Sequence, residues 1–473
     1  SPGLRAHLEA WLDAPTRRLA HGAAAQWLSR SSLDATAANL ARVAHHARLA
    51  GMEASAAYAW SEAGRMEIEA KRSAEAARCF ERALELAQGP AAEAIDRPRI
   101  LCQLAEAALS EGRAADADGH AERGLLAVEP ERTVLRARLL QIRAEAAVQA
   151  TQLHDALGDL RVAIQILGEQ GDPMELARAH ASLGWVLGYR LGRNDEGIAH
   201  GRRALEIAAE ISAPAFRASL CGRLGANYLR AGNWDGQLDA NREDLHLSRR
   251  ARDAYGQVRA HINLGVCYTN RGDLDRARMH TEAALSLADR CGAQGAAQIA
   301  HNNLAMISVD EQRWDEVDAH VAAVFEAAER TGYKRALPET LVSQARACIH
   351  RGALDEAADA LAKARALSDV ADDEVVERVS LLLDLARAQA DEADVDLPRS
   401  EALIARAVHD PYERAASRLT HAALLRHAGR ARDAASEEAE AAKTLRMLGA
   451  DLSLEHRRWG DHAQLGEVET VSK

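Results

Sequence analysis

Apolar and polar positions along the chain repeat with the period of a helix, and then again with a much longer one. From Arg259, residues His261, Leu264, Gly265 and Tyr268 fall three or four apart on one helical face before Arg271-Gly272-Asp273 interrupts the pattern. Ala277, Thr281, Ala284, Leu285 and Ala288 then line one face of a second helix. The pattern predicts helix, short polar turn, helix, and the unit recurs. Arg223-Leu224-Gly225, Asn263-Leu264-Gly265 and Asn303-Leu304-Ala305 open the same phrase at steps of 40, continued by Gln344-Ala345-Arg346 and, backwards, by Ser182-Leu183-Gly184 with one extra residue near Arg190–Asn194.

A second frame starts from the residue that opens the packed face of each second helix. It runs Ala76, Ala117, Ala156, Gly197, Gln237, Ala277, Val317 and Ala357, at steps of 39 to 41. Two frames built on different residues agree on one repeat. Glycine inside a helix costs about 1 kcal/mol against alanine. The recurrence of Gly184, Gly225 and Gly265 therefore predicts close helix approach there. The apolar residue after each turn, Trp234, Leu274, Trp314 or Leu354, is expected to wedge between hairpins. No single hairpin can bury its apolar face alone, so the hairpins must stack.

These residues resemble the tetratricopeptide repeat, with its bulky residue, Leu-Gly, Tyr and turn Gly on the first helix and its small and aromatic residues along the second. The run from Lys71 to Leu86, with Ala76, Phe80 and Ala83, resembles the second half closely. The likeness covers roughly residues 40–450, in a longer form similar to the arrays of kinesin light chains, polarity adaptors and bacterial regulators. Two features depart from the family pattern. The bulky first position is histidine in three copies (His180, His261, His301), and proline is missing between most repeats, which predicts longer, less sharply turned helices. The segment from Thr16 to Tyr58 resembles the start of the helical arrays that follow the ATPase module of bacterial signalling ATPases. The resemblance implies an all-α, right-handed α-solenoid of stacked helix-turn-helix repeats. The expected organisation is an N-terminal helical segment over 1–55, regular repeats over 56–386, less regular helical repeats or a cap over 387–465, and a flexible tail over 466–473. Gln88 to Pro98 is expected as a long connection and Ala390 to Ser400 as a loop.

Composition sharpens this picture. Hydrophobic residues make up 48% but aromatics only 4%, so the apolar mass is Ala and Leu, helix-forming material rather than strand-forming. The formal charge of −12 opposes the positive field that nucleic-acid binding requires, and no apolar run reaches a membrane span. Six scattered cysteines without a CxxC pair suit free thiols in the cytoplasm. The chain begins with Ser1 rather than Met, which makes a piece of a larger protein, with an N-terminal effector, ATPase or kinase domain, the expectation.

Chemistry is sparse. There is no Gly-Lys phosphate loop, no GxSxG and no HExxH, so no enzyme is expected, and no metal or cofactor. The nineteen histidines lack ligand spacing; His180, His261 and His301 share one repeat position and should form a ladder along the stack rather than converge on an ion. Trp11, Trp27 and Trp60 could instead face an absent domain.

The candidate binding residues are polar positions on the first helices, where a solenoid lines its groove with equivalent residues of successive repeats. They are Arg223, Arg230, Arg259, Asn263, Asn270, Asn302 and Asn303. Asparagine at this level in kinesin light chains and polarity adaptors holds the backbone of an extended peptide, which the resemblance carries to Asn263 and Asn303. An amide offers a bound main chain both a donor and an acceptor. The arginines favour an acidic or carboxylate-bearing partner, whereas Asp372-Asp373-Glu374 and Asp391-Glu392 would suit a basic one. The expected function is a protein-interaction or regulatory module of a bacterial signalling protein, binding a peptide or protein in its groove. The rival is a small-molecule sensor arm controlling an attached effector or ATPase domain.

Overall fold

The computed structural model describes residues 13–31, 36–70, 72–110, 112–168, 171–332, 334, 336–367, 374–391, 394–407 and 409–460. Trp11, the tail 466–473, Asp372-Asp373 and Glu392 lie outside the described residues. Among the described residues there are twenty-three α-helices and no strand. They form two compact units that divide between Val186 and Leu187.

The first unit contains α1 (Ala14–Ser31), α2 (Ala37–Leu49), α3 (Glu53–Glu69), α4 (Ser73–Leu86), α5 (Arg97–Ser110), α6 (Ala114–Ala127), α7 (Thr133–Gln149), α8 (Leu153–Leu167) and α9 (Pro173–Trp185). Consecutive helices pack on each other, and α7 also touches both α5 and α9, so these three first helices form a continuous layer. The segment expected as a long connection at Gln88–Pro98 is a 3-10 turn over Gly89–Ala94, and Arg97 and Pro98 already belong to α5. Trp60 is buried under the Arg82 guanidinium at 4.7 Å, whereas Trp27 is exposed.

The second unit contains α10 (Asn194–Ile207), α11 (Pro214–Arg230), α12 (Trp234–Arg250), α13 (Ala254–Arg271), α14 (Leu274–Cys291), α15 (Gln294–Asp310), α16 (Trp314–Thr331), α17 (Leu337–His350), α18 (Leu354–Leu367), α19 (Glu374–Asp391), α20 (Leu397–Arg406), α21 (Pro411–His427), α22 (Ala431–Leu448) and α23 (Leu452–Trp459). Here α11, α13, α15, α17, α19, α21 and α23 each touch the next in the series, which makes the inner layer. The loop expected over Ala390–Ser400 is narrower than that. Ala390 and Asp391 are the last residues of α19, and Pro398 sits in the first turn of α20, where its missing N–H is not needed.

The second-helix markers Ala76, Ala117, Ala156, Gly197, Gln237, Ala277, Val317 and Ala357 are all buried. The glycine reading is met at Gly225 and Gly265. A Cβ on Gly265 would come within 2.4 Å of Thr281 Oγ1, and one on Gly225 within 2.7 Å of Asn241 Oδ1. Trp314 wedges as expected, stacked on His350 of the following hairpin at 5.5 Å. Trp234 has a further partner, the ring of Tyr412 at 5.7 Å on α21.

Candidate functional site: the inner faces

Residues spaced i, i+4, i+7 and i+11 lie on one side of a helix. On α13 these are Arg259, Asn263, Val266 and Asn270, all half-buried. The equivalents of Asn263 on the flanking first helices are Arg223 and Asn303, also half-buried at the same level. Packed helices stand about 8–10 Å apart, so the three form a ladder whose rungs match roughly three residues of extended chain. Among the described residues, Asn263 has no hydrogen-bond partner and the Asn303 Nδ2 is buried without one.

Arg259, Asn302 and Arg230 are engaged within the chain. Arg259 clamps the wholly buried Asp244, Nε to Oδ2 at 3.1 Å and Nη2 to Oδ1 at 2.7 Å. Burial pushes the Asp244 carboxyl up, and Arg259 opposes this. Asn302 is buried and accepts the Thr340 hydroxyl at 3.0 Å, tying α15 to α17. Arg230 donates from Nη1 to Asp410 Oδ2 at 2.8 Å. Burial and the neighbouring Glu413 push Asp410 up to about 6. Asn270 follows Thr269, whose carbonyl accepts from Arg458 at 3.1 Å.

Sequence reasoning missed those last two contacts because they close the lower inner face with the C-terminal helices of the same unit. Arg458 Nε donates to Asp310 Oδ2 at 2.9 Å, and Arg346 Nη2 to Oδ1 at 3.0 Å. Burial alone would raise Asp310, but the two guanidiniums hold its carboxyl below the usual range. Tyr412 donates to Glu455 Oε2 at 3.1 Å, and the Trp459 ring lies 4.9 Å from Arg346 and 4.1 Å from Arg378. The signal available in the sequence was Leu454-Glu455-His456-Arg457-Arg458-Trp459, a short segment too rich in large side chains for a frayed end.

The first unit keeps a cavity of about 470 Å³ on its inner layer, lined by Arg99, Glu106, Arg132, Arg138 and Glu175 among others. Arg138 gives its Nε to Glu106 at 2.7 Å, its two terminal amino groups make no hydrogen bond among the described residues, and the Glu175 and Glu145 carboxylates add to the attraction on its charge.

The histidine ladder takes an unexpected form. His261 and His280 meet Nδ1 to Nδ1 at 2.9 Å, and His301 and His320 at 3.1 Å, so each rung is a pair within its own hairpin. One ring N–H donates to the other nitrogen, which requires both rings neutral or one singly charged. Burial pushes His261 and His320 down to about 4, with the partner ring adding to it. Among the described residues no three His, Cys, Asp or Glu side chains are grouped to hold a metal ion, and no helix is long and apolar enough to cross a membrane.

Comparison with solved structures places the fold. A Rap protein complexed with Competence and Sporulation Factor superimposes with a TM-score of 0.57 at 13% identity, over 75% of this chain and 99% of that one. The fold is a tetratricopeptide-type array of helical hairpins. A STAND protein from Pyrococcus horikoshii with a tetratricopeptide repeat sensor matches with a TM-score of 0.48 and 15% identity over 74% of this chain, which spans 52% of that protein. A tetratricopeptide repeat protein from Parabacteroides merdae gives 0.44 and 15% over 61% of this chain and 99% of that one. No protein-family model and no curated protein matches the sequence.

Proposed function

We propose that the chain is a protein-interaction and regulatory module that binds an extended peptide or protein segment on the inner face of its second unit, without turnover. The observation that carries this reading is the ladder Arg223, Asn263 and Asn303. Two of its amides have donor or acceptor capacity that the chain does not use, at a spacing that matches an extended main chain. The Rap protein of the same fold was solved in complex with a factor. We place the module in a bacterial cytoplasmic signalling protein, attached to an effector, ATPase or kinase domain. The test is crosslinking and pulldown with the chain and with an Asn263→Ala/Asn303→Ala variant. The variant should lose its polypeptide partner at least tenfold while keeping its unfolding midpoint. Equal capture by both, or capture of no polypeptide, overturns the reading.

A second reading, a small-molecule sensor arm, draws on the first-unit cavity, where the free amino groups of Arg138 suit a small carboxylate. A ligand that binds only the folded state raises its stability. Mono- and dicarboxylates should therefore raise the melting temperature of the chain and not of an Arg138→Gln variant.

A further inference from the structure

The last helix of the inner layer is held differently from its neighbours. α23 is eight residues long, and its buried side chains are two apolar ones, Leu454 and Trp459, and two charged ones, Glu455 and Arg458. Arg458 binds Glu455 of its own helix at 2.5 Å, Asp310 of α15, and the Thr269 carbonyl of α13. Trp459 fills the space between the Arg346 and Arg378 guanidiniums. Trp459 and the half-buried Leu452 are α23's contribution to the apolar core of α17 and α19, to which the neighbouring α21 gives Ala415, Ala416 and Leu419 as three of its ten buried residues.

This contrast decides how each element can come away. Pulling α21 out exposes a row of core side chains, among them Leu419, Leu424 and Leu425. Releasing α23 exposes Leu454, Trp459 and the half-buried Leu452, and its charged groups exchange protein partners for water, a trade that is nearly balanced because desolvation offsets most of a buried ion pair's attraction. The seat left behind keeps Asp310 paired with Arg346, and Arg378 with Glu413 at 2.7 Å, so it needs no rebuilding. The junction is a short turn, with Gly449 in the left-handed region at φ +78° and Asp451 capping α23 through the Ser453 and Leu454 amides.

We propose that α23 is a built-in ligand of the second unit. Docked, it closes the lower inner face; released, it opens a seat made by Asp310, Arg346, Arg378 and the Thr269 carbonyl, which takes a partner helix presenting an arginine beside a tryptophan. This rests on the reading of the inner face as a polypeptide-binding surface and adds its regulation, since Asn270 borders the seat and Asn263 stands two helical turns above it on α13.

The test uses the whole chain and a labelled synthetic peptide covering Gly449–Gly460. Amide hydrogen exchange should show Leu454–Trp459 opening at least tenfold more often than Ala415–Leu425. An Arg458→Ala/Trp459→Ala variant, which weakens the resident helix, should bind the peptide at least tenfold more tightly than the unaltered chain, and adding Asp310→Asn should abolish that gain. Exchange of 454–459 only together with the core, a variant that stays folded but takes no peptide, or a variant that unfolds the unit each overturns the proposal. Asn263→Ala, tested against the pulldown partner, reports on the groove separately, so either reading can fail alone.

Discussion

Each unit carries an arginine that bridges two first helices, and the two are placed in different surroundings. Arg138 on α7 reaches Glu106 on α5 with side chains 24% and 37% exposed, at the edge of an open cavity. Arg378 on α19 reaches Glu413 on α21 with side chains 1% and 16% exposed, beneath Trp459. The first unit's inner face stays wet at Arg138, while the lower inner face of the second is sealed by later helices of the same unit. The same repeat thus makes an accessible groove or a buried polar core, depending on what the chain brings back over it.

The largest expected effect tests this difference directly. Arg378→Ala leaves the Glu413 carboxylate without its cation in a closed interior and removes the guanidinium that covers one face of Trp459. Breaking a buried pair from one side costs about 3–5 kcal/mol. Urea denaturation of the whole chain should show the transition of the second unit shifting by that amount with the first unit's unchanged. A loss under about 1 kcal/mol would mean water reaches Arg378 and the inner face is not sealed.

Two equivalent turn glycines sharpen the comparison within the second unit. Gly272 and Gly352 have φ of +80° and +75°. An alanine at either pays the left-handed cost of about 1–2 kcal/mol, a cost that Gln312 and Thr151 already bear at equivalent turns. A Cβ on Gly352 meets nothing within 4 Å, whereas one on Gly272 comes within 2.5 Å of Asp451 Cβ. Gly272→Ala should therefore lose about 1–3 kcal/mol more than Gly352→Ala, from overpacking. Equal losses in thermal unfolding would show that the C-terminal helices do not press on that turn.

Acid should loosen the second unit through its paired histidines. His261, His280, His301, His320 and His350 are all pushed down by burial, to about 4 for His261, His320 and His350. Between the ordinary histidine value of about 6.5 and about 4, the unfolded chain takes up protons that the folded chain refuses, so stability falls as pH drops through that window. Asp410, raised to about 6, works the opposite way below that pH, because its neutral form is the one the fold favours. A His261→Gln/His320→Gln variant should therefore show a flatter fall of the urea midpoint between pH 7 and 5 than the unaltered chain. An unchanged slope would assign the acid sensitivity elsewhere.

Most of the repeat was legible because it depends on local spacing. The buried markers from Ala76 to Ala357 and the close approaches at Gly225 and Gly265 are fixed by helix periodicity within one hairpin. The closure at Arg458 was not legible, because Asp310 and Arg458 are 148 residues apart and no period links them. Arg230 reads as a groove residue for the same reason, its partner Asp410 lying 180 residues away. A polar position on an inner face looks identical in sequence whether water, a partner or Asp410 faces it. Asn302 and Asn303 show the limit at one-residue scale: one helical step apart, the first turns to Thr340 and the second toward the ladder.

The smallest expected effect lies in the first unit. Arg138→Gln removes a pair whose members are each partly solvated, and exposed pairs contribute about 0–1 kcal/mol because Coulomb attraction in water is weak and two long side chains must be ordered to gain it. Glu106 left alone can turn to solvent, and the methylene stem of the replacement glutamine would still cover part of the surface that Arg138 covers. The urea midpoint of the first unit should therefore move by less than about 1 kcal/mol. The size of this shift, set against that of Arg378→Ala, measures how far the two inner faces differ. A loss at Arg138 approaching 3 kcal/mol would mean the first-unit cavity is dry, and its free guanidinium amino groups would then be costly to leave without a ligand.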